Sequence, residues 1–211
     1  MNKFFKAGLL IVTLVIPALI FTFLRFFATN HYDLPYYHAE KDSAGNVRVI
    51  NGDTVFYKVA DSLGRKLLPP GGIQGKVIVL SYLPQICSDS CKEEFIQLDR
   101  IYGLRQSIPY LNLATFTREW PKDSMEFCRG IGKSGWQVNL LPSREEEIQF
   151  FDRFQFETKV PKAKTNSREL KLVLIDDNGY IRGYYIGADS EEIDRLMAEI
   201  KILDYEKNNK K

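Results

Sequence analysis

Two cysteines separated by three residues, Cys87 and Cys91 in Cys-Ser-Asp-Ser-Cys, are the residues best suited to chemistry in this chain of 211. Spacing i, i+4 brings both sulfurs to one side of a first helical turn. Two adjacent thiolates can close a disulfide or clamp a soft ion such as Cu(I). The plainer alternative is a structural disulfide or two buried thiols. The third cysteine, Cys128, sits in Met125-Glu126-Phe127-Cys128 with no second cysteine near in sequence. It reads as a small buried apolar residue on a helix. Trp120 and Trp136 read as core or rim residues.

The pair must be held by something. Before it runs KVIVLSYL, 76–83, apolar and β-branched like a buried strand. After it, over 91–106, Phe95, Leu98, Tyr102 and Gln106 recur at helical spacing, with Ser90 and Glu93 as a capping box. A strand end meeting a helix start is the usual place for chemistry in α/β sheets, and a helix N-terminus favours thiolate over thiol.

Around this junction, VRVI and TVFYKV flank Asn51-Gly52-Asp53, a hairpin signal. YLNLATFT, 110–117, reads as the next strand. Helices are expected around 123–132 and 144–154. The second has a Ser143/Glu146 capping box, an inner side of Ile148, Phe151 and Phe154, and a solvated Glu run at 145–147. LKLVLID and YIRGYYI flank Asp177-Asn178-Gly179, a second hairpin, with Tyr184 and Tyr185 on opposite faces. Asp189 and Glu192 open a last helix striped by Ile193, Leu196, Met197 and Ile200.

The N-terminus is a separate problem. Residues 7–24 carry no charge, and roughly 20 apolar residues span a hydrocarbon core of about 30 Å. Lys3 and Lys6 precede the run and Arg25 follows it. The positive-inside bias puts the N-terminus in the cytoplasm and the domain on the periplasmic side of the inner membrane. No small-residue cleavage site follows, so an uncleaved single-pass anchor is favoured over a signal peptide. The organisation expected is an anchor at 1–28, a linker at 29–45, a domain at 46–203 and a flexible tail at 204–211. Removing the three basic residues of 1–28 from the 29 Lys+Arg leaves 26 against 27 Asp+Glu. That balance argues against nucleic-acid binding, which needs a basic face. On the exported, oxidising side, a cysteine pair is a disulfide, a redox couple or a metal site.

The order of strand, helix, strand, helices, hairpin and helix gives an α/β fold of the thioredoxin-like plan, a central mixed sheet flanked by helices behind an N-terminal β-hairpin. Here the chain resembles the SCO/SenC family of membrane-anchored thioredoxin-like proteins. The resemblance rests on Val77–Cys91 ending in CSDSC. It extends to Leu34-Pro35-Tyr36-Tyr37, to Asp53–Tyr57, and to Leu174–Tyr185 with its IDDNGYIRGYY run, as in Bacteroidetes-type members. It covers roughly residues 34–203. It implies copper bound by two cysteines and one histidine. It also implies a role in assembling cytochrome c oxidase, by delivering copper to it or reducing its thiols, or a thiol–disulfide exchange activity with a redox partner.

The chain departs from that pattern. Asn166, before Ser167, stands where the family has its histidine, and an amide is a poor copper ligand beside imidazole. Ser88 replaces the proline after the first cysteine, and Thr115–Glu119 offers no match for the family's aspartate. His31 and His38, the two histidines, fall in the linker and read as solvated. These changes weaken three-coordinate copper binding and leave the dithiol intact. A peroxidase of the same fold would want Pro-x-x-x-Thr-x-x-Cys, and Pro84 stands where that threonine belongs. A non-catalytic assembly or binding module with a decayed copper site is the competing reading.

Overall fold

The computed structural model describes residues 12–23, 33–59, 72–83, 89–119, 131–154 and 171–209, apart from the side chains of 89–91 and 171. The chain divides into two compact units, Met1–Asp33 and Leu34–Lys211. In the first, residues 12–23 are helical. Among the described residues no helix is long and apolar enough to cross a membrane. The rest of the expected anchor, 1–11 and 24–28, lies outside the described residues.

In the second unit, the apolar run before the cysteines forms β3, Val77–Leu83, with every residue buried. It is buried on both faces because it is the middle strand of a five-stranded sheet. On one side lies β4, Leu111–Thr117, parallel to it, and beyond that β5, Trp136–Leu140, also parallel. On the other side lie β6, Lys171–Ile175, and β7, Ile181–Ile186, each antiparallel to its neighbour. The order β5-β4-β3-β6-β7, with a parallel half and an antiparallel half, is the thioredoxin-like plan. A small hairpin, β1 (Val49–Ile50) and β2 (Asp53–Thr54), precedes the sheet. Its turn needs two left-handed residues, and Asn51 (φ 55°) and Gly52 (φ 92°) supply them.

The pleat of β3 sorts the core. Val77, Val79 and Leu83 face α1 (Asp89–Gly103) and α3 (Ser190–Asn209), packing with Phe95, Leu98, Ile101, Ile193, Leu196 and Ile200. Ile78, Leu80 and Tyr82 face α2 (Arg144–Arg153) and pack with Phe116, Phe150 and Phe154. Each such side chain contributes about 1.5–3 kcal/mol by leaving water. Ser81, Thr115 and Trp136 form a buried polar chain across the parallel strands, Ser81 Oγ to Thr115 Oγ1 at 2.8 Å and Trp136 Nε1 donating to Thr115 Oγ1 at 3.0 Å.

Several expectations change. β5 is a strand that the pattern did not announce. The inner face of α2 is Glu147, Phe150 and Phe154, while Ile148 is 51 % exposed. The Glu run is therefore not wholly solvated. Tyr82 donates its hydroxyl to Glu147, which lets that carboxylate stay inside. The polar stretch read as a linker is ordered into the sheet unit from Leu34 onward. Ala39 and Lys41 bridge to Phe56 and Val47, and Tyr37 N donates to Ile181 O at 3.1 Å. α3 continues six residues past 203 to Asn209. Lys207 at this end donates to the Gly75 carbonyl at 2.6 Å, holding part of the expected tail. The helix expected near 123–132 lies outside the described residues up to 130, and 131–135 are turns.

Candidate functional site

The three parallel strands end together, with Leu83 beside Thr117 and Thr117 beside Leu140. β6 starts at the same edge and β7 ends there, since Ser81 pairs Leu172 and Lys171 pairs Ile186. α1 opens at Asp89, so Cys91 is its third residue and sits at this edge. Cys87 precedes the helix and lies outside the described residues, as do Asn166 and Cys128.

The polar groups at this edge are unusual. Among the described residues, the buried side-chain atoms without a hydrogen-bond partner are Glu94 Oε1 and Oε2, Arg118 Nε and Asn139 Nδ2. Arg118 follows the end of β4, Asn139 is the penultimate residue of β5, and Glu94 is three residues past Cys91 on α1. Native interiors pair nearly all such atoms, so each of these orphans is exceptional; Arg118 and Asn139 lie on the β4–β5 side of the sheet and Glu94 on the β7 side. Glu94 is fully buried, and desolvation alone pushes its carboxyl well above the usual carboxylate range. Its side chain packs against Gly187, just past β7. A Cβ on Gly187 would lie 2.8 Å from Glu94 Cγ and 3.0 Å from Cδ, so any other residue there would make the Glu94 side chain shift.

Sequence reasoning missed Glu94. The signal was available, because Glu94 is four residues before Leu98 on the buried stripe of an amphipathic helix, where a carboxylate is out of place. His31 lies outside the described residues. His38 is not a solvated linker residue. Tyr184 donates its hydroxyl to the Phe154 carbonyl at 3.0 Å, and His38 Nε2 lies 2.6 Å from that hydroxyl. Tyr184 packs with the α2-side cluster, so this histidine belongs to the sheet face opposite α1. Tyr185, its neighbour, faces the α1 side, as alternation predicts.

No family model matches the chain, and no curated protein matches it. Among solved structures it is similar to BsSco, a member of the Sco family of cytochrome c oxidase assembly proteins in which a disulfide switch was identified. That match has 14 % identity, covers 81 % of this chain and 95 % of the other, and has a TM-score of 0.49. It is similar to a SCO1/SenC family lipoprotein from Bacillus anthracis at 16 % identity, over 83 % and 96 % of the two chains, with a TM-score of 0.48. It is also similar to peroxiredoxin Q of Xanthomonas campestris at 13 % identity, over 63 % and 86 %, with a TM-score of 0.44. These are likenesses of overall shape across proteins of different chemistry, at identities too low to carry function from one chain to another.

Proposed function

We propose that this is a membrane-anchored SCO/SenC-type protein whose Cys87/Cys91 pair exchanges thiols for disulfides and handles copper in the assembly of cytochrome c oxidase. The observation that carries it is the position of Cys91 in the opening turn of α1, at the end of the central strand of a thioredoxin-like sheet. The helix N-terminus stabilises a thiolate there. A thiolate of the pair attacks a partner's disulfide and forms a mixed disulfide. The second cysteine then displaces the partner's thiol, which leaves reduced while Cys87–Cys91 becomes oxidised. The oxidase-assembly role follows the sequence resemblance, and the anchor follows the apolar run at 7–24.

Copper enters as cargo. Two thiolates suit Cu(I), whereas the amide at Asn166 does not replace imidazole, so the donor set fits Cu(I) and fits Cu(II) poorly. Asn166 also favours the second reading, an assembly module whose copper site has decayed. Mild oxidation of the full chain followed by mass mapping tests the proposal. The expected result is a Cys87–Cys91 disulfide with Cys128 reduced, and Cu(I) binding that disappears in Cys87→Ser/Cys91→Ser. A disulfide from Cys128 to either partner overturns the pairing, and a clean disulfide without Cu(I) binding leaves the redox half alone.

A further inference from the structure

Three exposed apolar side chains of the sheet unit gather on its N-terminal hairpin. Val47, Val49 and Tyr36 are 48, 55 and 42 % exposed. Paired residues of adjacent strands point the same way, as do residues two apart along a strand. Val49 pairs Thr54, Lys41 bridges to Val47, and Ala39 bridges to Phe56. Val47 and Val49 therefore share a face with Lys41, Phe56 and Lys58. Tyr57 and Val59, which alternate with them, pack into the α2-side cluster, so this face turns outward. Tyr36 stacks on Phe56 at 5.2 Å and meets Tyr180 edge-on at 5.3 Å, and Lys58 Nζ lies over Tyr180 at 4.8 Å. The face is aliphatic, aromatic and basic. The acids of the same stretch lie elsewhere. Glu40 and Asp53 alternate to the other side, and Asp42 accepts from Ala44 N and Asn46 N within a turn.

The place where the chain enters the unit indicates what covers this face. The unit begins at Leu34, whose carbonyl accepts from Arg182 at 2.7 Å, and Tyr36 already belongs to the face. Tyr180 and Arg182 sit at the start of β7, whose other end reaches the edge where α1 opens. Five residues, 29–33, separate the expected anchor at 1–28 from Leu34. Such a segment spans at most about 20 Å. A domain of this size has a radius of gyration of about 16 Å, hence a width of about 40 Å. With the anchor in a bilayer, the end of the sheet where the chain enters is therefore the end within reach of the lipid. We propose that this face rests on the lipid surface of the membrane that holds the anchor. Val47 and Val49 enter the acyl-chain boundary, Tyr36 lies at headgroup level, and Lys41 and Lys58 meet anionic phosphates. This rests on the anchor reading and extends it to an orientation: the end where α1 opens is left facing the aqueous side.

The experiment uses the full chain reconstituted in vesicles of phosphatidylethanolamine and phosphatidylglycerol. Phospholipid brominated in its acyl chains serves as the quencher of tryptophan fluorescence. Flotation with the vesicles reads the anchor first, and a chain that fails to float sinks the anchor reading and this inference with it. Val49→Trp places a reporter on the face, Val47→Trp a second one, and Leu140→Trp, exposed at the cysteine edge, is the control. The original chain gives the background from Trp120 and Trp136. Brominated lipid is expected to quench both face reporters and to leave Leu140→Trp at background. Lys41→Gln and Lys58→Gln are each expected to lower the ratio of docked to undocked chains about 5-fold, read as lost quenching, and added salt acts in the same direction. In a chain that floats, face reporters quenched no more than Leu140→Trp overturn the inference and leave the anchor standing. Shielding of the face reporters from iodide that rises with protein density, without quenching by brominated lipid, would give the face to a second copy of this chain and also overturn it.

Discussion

Two buried carboxyls stand at opposite edges of one sheet and are treated in opposite ways. Asp176 follows β6 at the edge where β3 begins, is 3 % exposed, and is fully engaged. One oxygen accepts from Asn178 N at 3.0 Å and Tyr180 N at 2.9 Å, shaping the β6–β7 turn. The other lies 2.9 Å from Arg182 Nη1. Arg182 in turn donates to the Leu34 and Pro35 carbonyls, at 2.7 and 3.2 Å, and stacks over Tyr36. Glu94, at the cysteine edge, is 0 % exposed and has none of this. The first edge is built for stability. The second leaves a buried carboxyl unspent.

Breaking the engaged carboxyl gives the largest effect. Asp176→Ala leaves Arg182 charged and buried and orphans two backbone N–H groups, so about 3–5 kcal/mol of stability is expected to go. Urea midpoints at constant m-value read this directly. Replacing both partners, Asp176→Leu with Arg182→Met, is expected to recover only part of the loss, because the Leu34 and Pro35 carbonyls then lose their donor. A loss under about 1 kcal/mol for Asp176→Ala would mean that the two edges do not differ in the way described.

The unengaged carboxyl predicts the opposite sign. Glu94→Met replaces an orphaned acid by an apolar chain of similar length, so the protein is expected to gain about 1–3 kcal/mol. The gain depends on pH. The folded-state carboxyl titrates well above its ordinary value, so the unfolded chain loses this proton first as pH rises. Stability of the original chain from this group is then full below the ordinary carboxylate range, and declines with rising pH until the folded carboxyl itself ionises. Denaturation of both proteins from acidic to neutral pH is expected to show curves that lie closest at low pH and separate upward. Parallel curves would show that Glu94 has a partner after all.

The difference between the edges also marks how much could be read in advance. β3, β4 and the cysteine helix were legible because Val77–Leu83 is a continuous apolar run and Phe95 and Leu98 keep helical spacing. Both hairpins were legible from Asn-Gly. β5 was not, since Trp136–Leu140 is a five-residue edge strand whose burial falls away along its length. α2 was read partly wrong: of Ile148, Phe151 and Phe154, expected on its inner face, Phe154 is buried there, but Phe150 takes the place of Ile148 and carries Glu147 inward with it. Residues 34–45 looked like a linker because their partners, Ile181, Phe56 and Tyr184, are distant in sequence. Local pattern records which residues prefer to be buried. It does not record which acids find a donor across the fold, and that is what separates Asp176 from Glu94.

Glu147 falls between the two extremes and gives the smallest effect. It is 8 % exposed, and it accepts from the Tyr82 hydroxyl. Tyr82 is the penultimate residue of β3, so this bond ties the strand leading to the cysteines to the first turn of α2. Tyr82→Phe keeps the ring contacts with Phe151 at 4.8 Å and Phe150 at 5.8 Å and removes only the donor. Because Glu147 retains some exposure, water can take the vacated place, and the expected loss is about 1 kcal/mol rather than the larger cost of a sealed orphan. Adding Glu147→Gln to Tyr82→Phe should change little more, since the bond is already gone, so the double-mutant coupling energy should equal most of the single loss. A loss of more than about 3 kcal/mol for Tyr82→Phe would place Glu147 with Asp176, as a carboxylate the fold depends on. No loss at all would show that water already serves it, and that the cysteine edge tolerates an unpaired acid on α2 as well as on α1.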